Sequence, residues 1–169
     1  NSARASELLE TMLRSSTTNE KMREEAVFAL MQQHTEHGVA AVRAVAEDDA
    51  SPPGLREKAI FWLGQRPSAE SATWLRALFA RLSTTSGADH DDLAQKVLFS
   101  LSQMRSQGNE RWLMEVAADS KYSVDVRKQA IFSAGQSGAT TADLVSLYGK
   151  VKEQEVKAQL VWLLSPQRD

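Results

Sequence analysis

Three histidines and a scatter of carboxylates are the residues of this 169-residue sequence whose types and spacing could do chemistry. His34 and His37 stand three apart with Glu36 between them, a spacing that can bring two imidazoles to one metal ion. A third ligand at useful spacing is not evident, and both read as solvated histidines in a turn. His90 sits in the run Asp89-His90-Asp91-Asp92. Such a run could hold a cation, yet it lacks the glycine and terminal glutamate of a calcium loop. It reads instead as a charged loop opening a helix, where aspartates oppose the positive end of the helix dipole. Cysteine is absent, which excludes disulfides, zinc ribbons, iron–sulfur clusters and thiol nucleophiles. There is no glycine-rich phosphate loop, no Gly-x-Ser-x-Gly and no His-Glu-x-x-His. Acid pairs such as Glu24-Glu25 and Asp48-Asp49 are adjacent and do not face one another on a helix. The expectation is a non-enzyme with no metal and no cofactor.

Charge and composition narrow the partners. Twenty Lys and Arg against 22 Asp and Glu leave a net charge of −2, without the basic excess that releases counterions from nucleic acid. A nucleic-acid partner is therefore not expected. No apolar run approaches the ~20 residues of a membrane span. Eight Gly and four Pro are too few for a many-turned all-β fold or a disordered chain. The sequence opens on Asn1 rather than Met, so it is expected to be a processed or excised piece of unknown compartment. A monomer is expected.

What must position any surface residues is an internal repeat. Leu55-Arg56-Glu57-Lys58-Ala59-Ile60-Phe61-Trp62-Leu63-Gly64-Gln65 matches Val126-Arg127-Lys128-Gln129-Ala130-Ile131-Phe132-Ser133-Ala134-Gly135-Gln136 at Arg, Ala, Ile, Phe, Gly and Gln. Weaker copies run from Met22 to Gln32, Leu93 to Gln103 and Val156 to Pro166. The small apolar anchor falls at Ala26, Ala59, Val97, Ala130 and Leu160, in steps of 33, 38, 33 and 30. Apolar residues at i, i+4, i+7 and i+8 make each copy a helix, here termed helix B. Asn19, Ser51 before Pro52, Asp89 and Ser123 are its expected N-caps. Gly64 and Gly135 fall near helix ends, where glycine tolerates a left-handed turn. Shorter amphipathic stretches, helix A, precede each copy at 5–14, 38–46, 69–82, 109–118 and 141–148. The polar run 83–92 reads as a longer loop that explains the step of 38.

Five helix pairs make about ten helices, in units of approximately 5–35, 37–66, 68–105, 108–137 and 140–166. The expectation is an all-α chain forming one repeat domain over 1–169, an α-α superhelix (solenoid). The tetratricopeptide and ankyrin signatures are absent. The run Asp-x-x-x-x-x-x-[Leu/Val]-Arg-x-x-Ala-Ile-Phe-x-[Leu/Ala]-Gly-Gln, seen at Asp48–Gln65 and Asp119–Gln136, resembles the HEAT repeat family, in particular the short bacterial HEAT-like repeats. The resemblance covers about Ser6 to Pro166. It implies an armadillo-like superhelix with helices B on the concave side. It also implies a structural ladder in which Arg23, Arg56, Arg127 and Lys157, with Asp48 and Asp119, cap and cross-link the turns between units. Ala94 breaks that ladder.

The remaining repeat positions are the candidates for function. Phe28, Phe61, Phe99, Phe132 and Trp162 share one; Gln32, Gln65, Gln103 and Gln136 share another, one turn on. Such rows could bind an extended peptide, or could fill the inter-repeat core and close backbone groups in the following turn. Glu24, Glu57, Gln95 and Lys128, two residues before the anchor, should be exposed. Their chemistry passes from acidic to basic, which suits a protein partner better than a uniform polyanion. Trp74 and Trp112 read as core. The leading functional expectation is a non-catalytic scaffold for a protein or peptide on the concave helix-B face. The alternatives are a structural or regulatory spacer in a larger protein, or a HEAT-like DNA-repair glycosylase or lyase-type enzyme.

Overall fold

The computed structural model describes residues 2–84, 88–104 and 108–165, and among them the regular structure is entirely α-helical. The chain forms two compact units, Asn1–Arg66 and Pro67–Asp169, divided between the second and third helix pairs. The first holds α1 (Ser2–Arg14), α2 (Glu20–Gln32), α3 (Glu36–Glu47) and α4 (Pro53–Gly64). The second holds α5 (Ala69–Thr84), α6 (Ala88–Ser102), α7 (Asn109–Ala118), α8 (Val124–Gln136), α9 (Thr141–Tyr148) and α10 (Gln154–Leu164). Odd-numbered helices are the A helices and even-numbered ones the B helices.

In the first unit α1 packs on α2, α3 on α4, and the two B helices on each other. In the second, α5 packs on α6, α7 on α8 and α9 on α10, while α6, α8 and α10 pack in series. All five anchors, Ala26, Ala59, Val97, Ala130 and Leu160, are buried. Each A–B pair is apolar on two flanks, and neighbouring pairs cover those flanks. The residue after the anchor shows the rule. Leu98 and Ile131 are fully buried where another B helix follows, whereas Val161 is 52% exposed where none follows among the described residues. Four residues before the anchor the same holds in the other direction. Leu55 is buried behind α2, but Met22, with no B helix before it among the described residues, is exposed.

The helix ends explain where the elements start and stop. Asn19 accepts Met22 N–H at 2.8 Å and Ser123 accepts Val126 N–H at 3.2 Å, each satisfying a donor the first turn cannot. Thr35 caps α3 through Gly38 N–H, and Thr140 with Asp143 forms a reciprocal capping box on α9. Two expected caps differ. Pro52, not Ser51, is the N-cap of α4, with Pro53 in its first turn; the Ser51 hydroxyl donates to Asp48 instead. Asp89 lies inside the first turn of α6, so 83–92 is mostly helix, and the rest of that run, 85–87, lies outside the described residues.

Gly64 and Gly135 are not the left-handed residues either. Gly138 is, with φ 105°, and it ends α8 through Gly138 N–H to Gly135 O and Ala139 N–H to Ala134 O. This is the Schellman arrangement, which needs positive φ one residue past the C-cap. Gly135 stays helical, and a side chain there would meet Leu163 of α10 at 3.6 Å. At the end of α2 a histidine, His34, takes the left-handed position with φ 54°.

Candidate functional site

The ladder arginines point inward. Arg127 Nε donates to Ala117 O at 2.9 Å, Arg56 Nε to Ala46 O at 3.0 Å, and Arg23 Nη2 to Leu13 O at 3.1 Å. Each acceptor is ten residues back, in the last turn of the preceding A helix, whose final carbonyls have no partner within their own helix. A cation there also opposes the negative end of the helix dipole. Arg56 and Arg127 are 3% and 2% exposed, so their charges need further partners. Arg56 Nη1 meets Asp49 at 3.4 Å, and Arg127 Nη1 meets Glu153 at 2.8 Å, at the start of the next B helix. That pairing holds the Glu153 carboxyl down at about 2, the Arg127 hydrogen bond being the largest cause.

The aspartates of the ladder do something else. Asp48 and Asp119 are the C-caps of α3 and α7, with ψ 109° and 111°. They accept Ala50 N–H at 2.9 Å and Lys121 N–H at 3.0 Å, closing the same turn twice. The expected cross-link from these aspartates is therefore a local turn. Lys157 does not repeat the carbonyl bond; its ammonium lies 5.2 Å from the Tyr148 ring. Ala94, buried, stands where the third copy would need an arginine. Sequence reading missed Asn109. Fully buried, it donates to Leu101 O at 3.1 Å, caps the end of α6, and receives a hydrogen bond from Arg76.

The histidines separate. His34 is exposed in its left-handed turn. His37 is not in the turn but in the first turn of α3, where Nε2 lies 2.9 Å from an oxygen of the buried Glu10. His90 is half-buried on α6. Among the described residues no three His, Asp or Glu side chains converge as metal ligands would. Two grooves run beside A helices. One of about 250 Å³ is lined by Glu10, Leu13, Arg14, Arg23, Val45 and Asp48. The other, about 380 Å³, is lined by Glu110, Arg111, Met114, Asp143, Leu147 and Lys150. Charges of both signs line each. Asp143 is held below the usual carboxylate range chiefly by the Thr140 N–H it accepts.

The B helices carry the candidate surface. Phe28 and Phe61 are 40% and 39% exposed and Trp162 is 57% exposed, while Phe99 and Phe132 are half-buried. The row is thus open at Phe28, Phe61 and Trp162 and partly covered at Phe99 and Phe132, whereas the anchor row is buried throughout and the residue after it is buried as far as Ile131. Gln32, Gln65, Gln103 and Gln136 are also exposed. Gln103 Nε2 lies 3.5 Å from the Ser102 hydroxyl, and the turn that follows it, 105–107, lies outside the described residues. Of the four positions expected in solvent, Glu57 is exposed, and Glu24, Gln95 and Lys128 are half-buried. Trp112 packs edge-on against buried Phe79 at 5.3 Å, and Trp74 is half-buried on α5.

In the first unit these positions converge. The Phe28 ring lies 4.8 Å from Trp62, and Trp62 lies 5.1 Å from Phe61, so three rings bridge α2 and α4. One turn before each phenylalanine stands a glutamate, Glu24 or Glu57; one turn after stands a glutamine, Gln32 or Gln65. The packed helices α2 and α4 thus present a row of carboxylates, a row of rings and a row of amides. Such a surface binds by ring contact, ion pairing and hydrogen bonds to backbone amides. No protein-family model and no curated protein matches this chain.

Proposed function

We propose that the chain is a HEAT-like repeat array acting as a non-catalytic interaction module that holds a protein or peptide segment against its B helices. The observation that carries this reading is the exposure of Phe28 and Phe61 beside Trp62. A stacked array has no structural need for large rings at a position outside its buried rows. Aromatic side chains offer large contact area with few rotors, and binding hot spots are enriched in them. The amide row one turn away supplies donors and acceptors for an extended backbone.

The experiment is selection of ligands from random nonapeptides displayed on phage, followed by amide-shift mapping of a selected peptide on the isotope-labelled chain. The reading expects the largest shifts on the exposed faces of α2 and α4. Shifts concentrated in the grooves beside the A helices would overturn it.

A further inference from the structure

We propose that the segment held by the first unit presents arginine or lysine side chains to the Phe28–Trp62–Phe61 cluster. This inference rests on the B-face reading above and adds the chemistry of the partner.

Charge decides it. On α2 and α4 the exposed carboxylates are Glu20, Glu25 and Glu57, with Glu24 half-buried beside them, against Lys21 and Lys58. The two arginines of these helices do not offset them at the surface. Arg23 and Arg56 turn inward to the carbonyls of Leu13 and Ala46. The same repeat device that closes helix A therefore leaves the face of helix B acidic. Gly54 sharpens this. A Cβ there would stand 2.7 Å from Glu20 Oε1 and 4.0 Å from Glu24 Oε1, so both carboxylates of α2 lie against the start of α4. Glu24 and Glu57 lie one helical turn from the rings, and Glu20 about two.

Rings beside carboxylates suit a cation. The ring face carries partial negative charge, and a guanidinium or ammonium over it gains attraction that a nearby carboxylate extends. This chain already uses the contact internally. Arg76 lies 5.7 Å from the Trp112 ring centre, and Lys121 lies 5.0 Å from that of Tyr122. A phosphate-bearing or acidic partner would meet like charge at Glu24 and Glu57. Further along the array the equivalent positions become Gln95 and Lys128, so the preference belongs to the first unit.

The test compares nonapeptides selected from a random phage library on three forms of the whole chain: wild type, E24K/E57K and F28A/F61A. The inference expects Arg and Lys enriched in wild-type binders, and a swing to Asp and Glu on E24K/E57K. It expects wild-type binders to bind F28A/F61A at least about tenfold more weakly. Binders that need Phe28 and Phe61 but have the same charge composition on wild type and E24K/E57K would overturn the cationic partner and leave the B-face reading standing. Binders indifferent to F28A/F61A would overturn both. Thermal melts of each variant come first; if E24K/E57K or F28A/F61A is unfolded, the milder E24Q/E57Q and F28L/F61L replace them, with loss of the Arg and Lys enrichment expected on E24Q/E57Q and weaker binding on F28L/F61L.

Discussion

The ring of Phe28 lies 4.8 Å from that of Trp62, and through this contact α2 and α4 share one aromatic surface that faces water. The two residues are not equivalent in the repeat, because Trp62 stands one place further from its anchor than Phe28 does. Stacking the helix pairs side by side is what brings them together. The same stacking fixes which substitutions the chain can absorb.

The flank rule predicts opposite results for neighbouring copies. Ile131 is fully buried and its repeat equivalent Val161 is half in water. Ile131→Asp should cost more than ~3 kcal/mol, since it leaves an unpaired charge in the core. Val161→Asp should cost less than about 1 kcal/mol. Urea titrations of the two variants check this, and equal losses would reject the register. Ala59→Asp and Ala130→Asp, at fully buried anchors, should behave like Ile131→Asp.

Removing a ladder arginine should hurt in proportion to its burial. Arg127→Ala orphans Ala117 O and strips Glu153 of its partner, for an expected loss of about 2–3 kcal/mol. Arg23→Ala, at a half-buried site, should cost about 1 kcal/mol. Chemical denaturation gives both numbers, and an Arg23 loss equal to or above that of Arg127 would contradict the assignment.

The Arg127–Glu153 pair predicts an acid limb. The folded-state value of Glu153, about 2, lies below the ordinary 4.5. A depressed carboxylate stabilises the fold fully above its unfolded value, and that contribution fades as pH falls through the folded one. The stability gap between wild type and Glu153→Gln should therefore be constant from pH 7 to about 5 and shrink between 4.5 and 2. A gap that stays flat down to pH 2 would contradict the pairing.

His34 carries backbone strain rather than chemistry. A β-carbon at φ 54° is disfavoured, and glycine is not. His34→Gly should raise stability by up to about 1 kcal/mol, read as a higher melting temperature. A lower melting temperature would show that the imidazole has a role there.

Periodicity and repeat register made the helices legible, because burial on a stacked helix pair imposes a 3.6-residue pattern wherever it occurs. Asn109–Ala118 and Thr141–Tyr148 needed nothing further. Caps were harder. Ser51 has a capping side chain, but Pro52 and Pro53 shift the helix start by one residue, and Ser51 then serves Asp48. Gly135 looked like a helix stop because glycine often is one; its place against Leu163 is a tertiary fact that no local pattern encodes. For the site, the sequence supplied the Phe and Gln rows but not their exposure. A phenylalanine two places past a buried anchor fits either the inter-repeat core or the open face, and only the helix rotation decides. Trp62 reads from its spacing as part of the apolar stripe with Leu55, Ala59 and Leu63, yet it is only half-buried and lies between Phe28 and Phe61. The buried Asn109 carried no repeat signal at all.

The central claim is that the α2–α4 aromatic face is the binding surface, and affinity measured beside stability tests it most directly. Fluorescence anisotropy would compare the tightest phage-selected nonapeptide on wild type and on F28A/F61A, with thermal melts of both. We predict binding weaker by at least about tenfold in a double variant that still melts cooperatively, at a lower temperature because both rings also pack on Trp62. Unchanged affinity in a folded double variant would contradict the account.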